Sequence, residues 1–378
     1  MTAVYLDCNA TTPLEDEVRE VLLRYLIDEY GNEGSRTHDY GVRAKKAVSI
    51  AREQIAALVC AQREEVVFTS GATESNNLAI LGLRTAAVEA GKRHVITTLI
   101  EHKSVLEPVD ELERQGFEVT RVAPSSQTGR VCAEQVGAAL RPDTFLVSVM
   151  HVNNETGIEQ PITDIAESLK WHPAFFHTDA AQGFGKSLEP LQNPRLDLIS
   201  ISGHKVYAPK GIGALVMRRR DFTMPPLRPL LFGGGQERGL RPGTLPVPHI
   251  AALGMAATLA QRDASARAKR CRDIQRVARM AFESVDARFT GDPDHVAPHV
   301  LHLAVPGLDS EALMVALRDL VAISNGSACT SSSYTPSHVL KAMGFDDRKA
   351  NECVRLSWSH LTPPVDWNAV TQRIRSMR

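Results

Sequence analysis

A lysine stands at the end of a predicted strand in the stretch Leu196–Lys205, which reads LDLISISGHK. A lysine that forms an imine with an aldehyde cofactor needs an amine held at a strand end, small neighbours that let a flat ring approach, and surroundings that lower its pKa. Ser202 and Gly203 are small neighbours of this kind for Lys205. Taken alone, a lysine that follows a strand is most often a solvated loop residue.

An aspartate ends another predicted strand, in the stretch Phe175–Gln182, which reads FFHTDAAQ. Ligands of open α/β sheets bind at the carboxyl ends of the strands, which is where Asp179 lies. A buried carboxylate there keeps a pyridine nitrogen protonated, so that the ring can act as an electron sink. Without Lys205, a helix cap or a turn would be the better interpretation of Asp179.

A predicted strand and helix are joined by Thr69–Asn77, which reads TSGATESNN. Glycine and small residues such as Ala72 allow a phosphate to approach the backbone, and Thr73 offers a hydroxyl. The helix start adds unpaired N–H groups and a favourable dipole. Because the spacing is neither that of a Walker loop nor that of a dinucleotide fingerprint, the segment predicts a site for a single phosphate.

Two more polar residues follow predicted strands and belong to the same sheet edge. His102, in TLIEHKSV, is placed to stack on a flat ring, and Asn154 lies in MHVNNETG. The ordinary alternative for His102 is a structural histidine at a helix start. For Asn154 it is a residue in a plain turn.

The elements that must position these residues alternate along the chain. Short β-branched runs alternate with amphipathic helical patterns, which is typical of an α/β fold with a mostly parallel sheet covered by helices. The predicted strands are Val66–Thr69, His94–Thr98, Phe145–Met150, Phe175–Asp179, Leu196–Ser202 and Gly213–Met217. The predicted helices include Thr73–Ala90, Lys103–Gln115 and Ile162–Trp171. A first helix is predicted with Thr12 as its cap, Pro13 at its first position and Glu15 as the capping-box acid.

The amino-acid composition changes after Arg218: Met224–Pro229 is rich in proline, and Phe232–Gly243 is rich in glycine. A long helical tract, Ile250–Val285, then precedes predicted strands near Leu301–Val305 and Val354–Trp358. We therefore expect an N-terminal segment at 1–15 that contacts the small domain and the site, a large cofactor-binding domain at 16–250, and a small α+β domain at 251–378.

Composition limits the classes of function. The 378 residues carry 43 basic and 44 acidic side chains, a net charge of -1, so we expect no direct nucleic-acid partner and no membrane partner. The start, MTAVYLDCNATTP, lacks the pattern of a secretory signal, which predicts a cytoplasmic protein. Six scattered cysteines without CxxC spacing indicate neither a disulfide framework nor a metal site.

Seven motifs occur in a fixed order over most of the chain: SGATES, EHK, HVNNE, DAAQ, SGHK, GTLP and GSACTS. In this order they resemble the NifS/IscS-type cysteine desulfurases. The resemblance implies the class V aminotransferase fold, a fold-type I pyridoxal 5'-phosphate homodimer with a large domain and a smaller C-terminal domain. This agrees with the alternation of strands and helices.

The resemblance also implies a role for each matching residue. It places the Schiff base on Lys205, the partner of the pyridine nitrogen on Asp179, His102 over the ring and Gln182 beside the phenolic oxygen. The other implied contacts are Ala72 to the cofactor, Thr73, Ser202 and His204 to its phosphate, Thr244 to the neighbouring subunit's phosphate, and Asn154 and Arg355 to the substrate carboxylate. Without the resemblance, the ordinary interpretation of Arg355, which lies inside the predicted strand VRLSW, is a charge exposed at a sheet edge.

Cys329 separates a desulfurase from its relatives. It lies in Ser324–Ser333, SNGSACTSSS, whose small polar composition predicts a mobile loop. The resemblance then implies that L-cysteine becomes L-alanine while its sulfur passes to Cys329 as a persulfide. The other five cysteines mostly lie in helical or strand patterns, so they are predicted to be small buried residues.

The sulfur is expected to pass to an acceptor protein, in DNA phosphorothioate modification, iron-sulfur cluster assembly or tRNA thiolation. The stretches CNATTP and GNEGSRTHDYG resemble the phosphorothioation subgroup. The alternatives are a selenocysteine lyase, a class V aminotransferase without a use for a loop cysteine, and a non-catalytic sulfur-relay or scaffold subunit. Cys8, and the Leu-Ser-Trp-Ser-His that follows Arg355, depart from the family pattern.

Overall fold

The computed structural model describes residues 3–326 and 337–378. Helices and strands alternate through its first part: β1 (Val4–Tyr5), α1 (Asp16–Ile27), α2 (Asp39–Leu58), β2 (Val66–Thr69), α3 (Ala72–Leu81), α4 (Arg84–Glu89), β3 (His94–Thr98), α5 (Lys103–Arg114), β4 (Glu118–Val122), α6 (Ala133–Ala138), β5 (Thr144–Ser148), α7 (Ile162–Ser168), β6 (Phe175–Asp179), β7 (Leu198–Ser202) and β8 (Gly213–Met217). The second part contains α8 (Val247–Arg262), α9 (Ala264–Glu283), β9 (Arg288–Phe289), β10 (Val300–Ala304), α10 (Ser310–Leu317), β11 (Val321–Ala322), α11 (His338–Ala342), α12 (Asp347–Asn351), β12 (Cys353–Ser357) and α13 (Trp367–Ser376).

A seven-stranded sheet forms the centre of the molecule, with the strand order β2-β8-β7-β6-β5-β3-β4. Its neighbouring strands are parallel except for β8, which is antiparallel to both β2 and β7. The inner strands β5, β7 and β8 are buried along their whole length, and β6 is buried from Phe176 onward, because helices cover both faces of a mostly parallel sheet. The predicted α/β class with a mostly parallel sheet is confirmed.

Two predicted helices are each divided in the structure. The predicted helix over Thr73–Ala90 is interrupted at Gly82, whose carbonyl accepts a hydrogen bond from the Arg228 N–H (2.9 Å). The tract over Ile250–Val285 bends at Asp263, which has φ -107° and ψ 9° and separates α8 from α9. In both places the sequence pattern continues across the break, and at Gly82 the break coincides with a contact to a distant part of the chain.

The predicted cap of the first helix was wrong. The helix α1 begins at Asp16, and no side chain caps it. The Thr12 hydroxyl instead donates to the carbonyl of His204 (3.0 Å) and accepts from the Tyr207 N–H (3.0 Å). Tertiary hydrogen bonds have therefore taken the hydroxyl that the local pattern assigned to the cap, and they tie residue 12 to the turn that carries Lys205.

A second apolar core lies in the C-terminal part of the chain. There the antiparallel strands β12, β10 and β9 pack with α9, α10 and α13 around the buried Trp358 and Phe282. The strand β1 pairs with β11 in parallel, and Leu6 joins this core. By contrast, the buried side chains of α8 belong to the core of the central sheet. The division of the chain at residue 250 stays a proposal.

The described chain contains no helix that is both long and apolar enough to cross a membrane.

Buried histidines predict how stability depends on pH. Burial lowers the pKa of His177 and of His302 from 6.5 to about 3, so both are neutral in the folded protein at pH 7. Below pH 6.5 the unfolded chain binds protons that the folded chain does not, and stability falls as the pH falls toward 3. The two side chains together contribute a slope of up to about 2.7 kcal/mol per pH unit. Burial also raises the pKa of Glu101 to about 8 and the pKa of Glu155 and Glu159, which acts in the opposite direction. The pKa of His151 and of His204, which burial lowers to about 4, adds to the histidine effect.

Urea unfolding at pH 7, 6 and 5 measures this slope. We expect the free energy of unfolding to fall as the pH falls, and His177→Gln to lower the slope by up to about 1.4 kcal/mol per pH unit. His295→Gln, at a side chain that is 41% exposed, is the control for replacing a histidine outside the core. Equal slopes for His177→Gln and the original protein would contradict the prediction.

Candidate active site

The candidate residues meet at the carboxyl edge of the central sheet. Asp179 is the last residue of β6 and Ser202 the last residue of β7, while His102 and Asn154 follow β3 and β5. Parallel strands end at the same edge, so residues far apart in sequence are brought together there. They surround a cavity of about 400 Å³.

Most of the predicted site residues line this one cavity: Ala72, Thr73, His102, Asn154, Asp179, Gln182, Ser202, His204, Lys205 and Arg355. Thr244 is exposed and lies outside the cavity of this single chain. Cys329 lies outside the described residues. The roles of all these residues remain proposals, which the hydrogen bonds and burial of their side chains support.

The amine of Lys205 faces the N-terminal segment. It donates hydrogen bonds to the carbonyls of Asn9 and Ala10, the latter at 2.7 Å. The lysine lies in a short turn, Gly203–Lys205, that directly follows β7. Since the turn is fixed by the strand before it, the amine is held at the sheet edge rather than in solvent.

The carboxylate of Asp179 is buried, and its hydrogen-bond donors within the described chain are neutral. It accepts from the Asn76 side-chain amide (2.7 Å) and from the Ala181 N–H (2.9 Å). The same Asn76 amide reaches the Ser104 hydroxyl (2.8 Å), which contacts the Nδ1 of His102 at 2.7 Å. This network fixes the aspartate and the histidine relative to each other. Sequence analysis missed Asn76 and Ser104, although Asn76 lies in the predicted phosphate segment.

Burial lowers the pKa of His102, with Lys205 acting in the same direction and Asp179 in the opposite one. The imidazole also caps α5, because its Nδ1 accepts from the Ser104 N–H (3.1 Å). The histidine is therefore both structural and a wall of the cavity, so its two interpretations are compatible.

The N-terminus of α3 opens into the cavity. Gly71 precedes the helix with φ 154° and ψ 180°, a conformation that only glycine adopts readily. The first N–H groups of a helix have no partner within it and attract anions. At the same cavity, burial lowers the pKa of His204 to about 4, with nearby lysines acting in the same direction. At neutral pH this imidazole is uncharged and can donate one hydrogen bond to an anion.

Arg355 is buried, not an edge-exposed charge as its strand position alone suggested. Its guanidinium donates to the carbonyl of Asn154 (2.8 Å) and to the carboxylate of Asp7 (2.6 Å). Its Nε is buried and has no hydrogen-bond partner among the described residues. The contacts hold the guanidinium at the cavity and leave donors for a further acceptor.

The sequence analysis expected the segment 1–15 to contact the site but gave Asn9 no role there. The Asn9 side chain donates to the carbonyl of Asn154 (3.0 Å), and the Asn9 carbonyl accepts from Gln182 (2.9 Å) as well as from Lys205. The motif CNATTP was the available signal, but it was used only to suggest a subgroup.

The prediction for the other cysteines holds for three of the five. Cys8, Cys271 and Cys353 are buried, whereas Cys60 and Cys132 are exposed. Cys60 follows the end of α2 with φ 55°, and Cys132 directly precedes α6. Both lie at helix boundaries, where side chains reach the surface.

The cavity fits pyridoxal phosphate. An amine, a buried carboxylate and a helix N-terminus face one space, and they match the aldehyde, the ring nitrogen and the phosphate of this molecule. The Oε1 of Gln182 is buried and has no partner in residues 3–326 and 337–378, so a polar group remains for a ligand to satisfy.

A sheet edge of this kind defines a pyridoxal-phosphate-dependent enzyme of the α/β class. Residues 4–364 match the family described as aminotransferase class-V, and the chain belongs to this family.

Proteins of known name or structure are similar over nearly the whole chain. The cysteine desulfurase IscS of Escherichia coli O139:H28 is 42% identical over 98% of this chain and 92% of its own. The crystal structure of DndA from Streptomyces lividans is 50% identical, with a TM-score of 0.83 over 93% of this chain and 98% of that one. A structure of SspA in complex with cysteine is 37% identical, with a TM-score of 0.80 over 96% and 99% of the two chains.

Proposed function

We propose that this chain is a pyridoxal-phosphate-dependent cysteine desulfurase that converts L-cysteine to L-alanine and receives the sulfur on Cys329. The observation that carries the proposal is the single cavity lined by Lys205, Asp179 and Arg355, in a chain similar to cysteine desulfurases over almost its whole length. The structure of SspA with cysteine supports the choice of substrate.

Bound pyridoxal phosphate supplies an aldehyde that links to amines and a protonated ring that stores electrons. Lys205 would hold it covalently, and its amine, when freed, would move the proton from the Cα of the substrate. Asp179, fixed by Asn76 and the Ala181 N–H, would keep the ring nitrogen protonated. His102 would lie over the ring and Gln182 beside the phenolic oxygen, while Ala72, Thr73, Ser202 and His204 would surround the phosphate.

The substrate carboxylate would bind Arg355 and Asn154. Arg355 suits this task because its fork donates parallel hydrogen bonds to a carboxylate, and because Asp7 and the Asn154 carbonyl already hold it in place. Its burial makes the interaction stronger than the same contact in solvent.

Cys329 would attack the sulfur of the bound cysteine as a thiolate. The C–S bond of the substrate breaks, its sulfur becomes the outer atom of a persulfide on Cys329, and the carbon skeleton leaves as alanine after protonation. No external oxidant is needed, since the substrate carbon gains the electrons that the sulfur gives up.

The acceptor of the sulfur would be a partner protein, because the chain has a net charge of -1 and lacks the excess of basic residues that binds nucleic acid. The 50% identity to DndA supports the DNA phosphorothioation subgroup suggested by CNATTP and GNEGSRTHDYG. Iron-sulfur cluster assembly and tRNA thiolation are the other acceptor pathways.

We also propose a homodimer in which Thr244 reaches the phosphate of the neighbouring subunit. Thr244 is exposed in the single chain, and the glycine-rich segment before it exposes Leu231 (53%) and Phe232 (89%). Apolar side chains this exposed are typical of a surface that another chain covers.

Incubation of the protein with cysteine and pyridoxal phosphate tests the function. We expect alanine to form without any keto acid, and mass spectrometry to find one added sulfur atom on the peptide that carries Cys329. A requirement for a keto acid would identify an aminotransferase instead. A selenocysteine lyase would release alanine from selenocysteine but not from cysteine, and an idle scaffold subunit would never turn yellow with added cofactor.

A further inference from the structure

Glu155 is a buried carboxylate next to Asn154 for which neither the sequence nor the proposed chemistry gives a role. It is 4% exposed and lies in a turn whose backbone is fixed by Asn153, which accepts from the N–H groups of Glu155 (3.0 Å) and Thr156 (2.9 Å). Glu155 is not among the described residues that line the cavity. A buried carboxylate is unfavourable unless hydrogen bonds or charges compensate it, so its partners are informative.

One partner is Ser337, the first described residue after the segment 327–336. The Ser337 hydroxyl donates to the Oε2 of Glu155 and accepts from the Leu340 N–H (3.2 Å), which caps α11. The next residue, His338, bonds through Nε2 to the carbonyl of Glu101 (2.9 Å). The chain after the segment is thus fastened to the two turns that carry His102 and Asn154.

Gly326, the last described residue before the same segment, lies beside Glu155 without a hydrogen bond to it. It has φ 85°, and a Cβ placed there would lie 3.4 Å from the Cβ and 3.6 Å from the Oε2 of Glu155. The Gly326 N–H donates to the Ser324 hydroxyl (3.0 Å), and the Ser324 backbone pairs with Arg355. Both ends of the segment therefore converge on one side chain.

The electrostatics of Glu155 agree with a fastening role. Burial raises its pKa, while the hydrogen bond from Ser337 and the nearby His338 and Arg355 lower it. These groups come from two elements, the start of α11 and the strand β12. His338 and Arg355 also bond to the turns beside the cavity, at the carbonyls of Glu101 and Asn154. Glu155 is therefore joined to the site through its neighbours.

We propose that Glu155 is a positioning residue for sulfur transfer, which fastens the segment 327–336 at its Ser337 end to the turn that carries Asn154 and lies beside its other end at Gly326. The inference rests on the proposed function, in which Cys329 in this segment receives the sulfur. The rate of an intramolecular attack follows the effective concentration of the nucleophile, and this falls when one end of a closed segment is released. Loss of the fastening should slow sulfur transfer without changing how cysteine or the cofactor binds.

Single-turnover formation of the Cys329 persulfide, followed by mass spectrometry, tests this role. Glu155→Ala should slow the step about 10- to 100-fold, the equivalent of one buried charged hydrogen bond. The absorbance of the bound cofactor and the KM for cysteine should not change. Glu155→Gln should restore most of the rate, because the amide oxygen still accepts from Ser337. Ser337→Ala should also slow the step, and the double variant Glu155→Ala with Ser337→Ala should be no slower than the slower single variant.

Glu159→Ala is the matched control, since Glu159 lies in the same stretch and has no described contact with Gly326 or Ser337. Persulfide formation at the original rate in Glu155→Ala, or additive effects in the double variant, would overturn the proposal. A raised KM or a lost cofactor in Glu155→Gln and Ser337→Ala would also overturn it. If the unaltered protein forms no persulfide on Cys329, the proposed function itself fails, and this outcome is distinct from the others.

Discussion

Replacing Lys205 by alanine is expected to lower alanine formation by more than about 1,000-fold and to remove the yellow colour of the bound cofactor. The amine is the group that both holds the cofactor and moves the proton of the substrate in the proposed function. No side chain at this position other than a lysine supplies such an amine. The absorbance spectrum and the rate of alanine formation measure the two effects separately.

Lys210→Ala is the control for this experiment, because Lys210 lines the same cavity. We expect it to keep the colour, since its amine is not held by the N-terminal carbonyls that accept from Lys205. A Lys205→Ala protein that still carries covalently linked cofactor would show that another lysine performs this role.

Replacing Cys329 by serine is expected to abolish sulfide release and persulfide formation while leaving the cofactor colour intact. A serine hydroxyl is not ionised near neutral pH and is a poor nucleophile toward sulfur, whereas a thiolate is a good one. The measurements are sulfide release in the presence of a reductant and the mass of the peptide that contains residue 329.

Two other cysteines provide controls with opposite environments. Burial raises the pKa of Cys8 to about 11, so its thiol stays protonated although it directly precedes Asn9 at the site. Cys132 is exposed, and its thiol donates to the carboxylate of Glu134. Cys8→Ser and Cys132→Ser should both retain persulfide formation. An added sulfur on either of them in the Cys329→Ser protein would contradict the assignment.

Several strands of the central sheet agree with the prediction from sequence residue for residue. Val66–Thr69, His94–Thr98, Phe175–Asp179 and Gly213–Met217 have the same bounds in the prediction and in the structure. These strands are buried along nearly their whole length, so each is a short apolar run that ends where polar residues begin. Because Asp179 and Lys205 were predicted from strand ends of this kind, their place at one edge of the sheet followed directly.

Features that depend on distant contacts were missed or mispredicted. The Thr12 hydroxyl bonds to residues more than 190 positions away, and Asn9 joins Gln182 and Asn154 across separations of 173 and 145 residues. The ion-pair partner of the buried Arg355 is Asp7, 348 residues away. A local pattern of residue types contains no information about such partners.

The sequence by itself determined the order of the elements, the mostly parallel sheet and the motifs that place an amine and a carboxylate at its carboxyl edge. It did so because hydrophobic periodicity and the chemistry of short motifs are local properties. The tertiary structure alone decided how the N-terminal segment lies across the site, which donors hold Asp179, and that Glu155 meets both ends of the segment with Cys329. These contacts exist only after the chain has folded, since chain entropy keeps residues so far apart in sequence from meeting until the core holds them together.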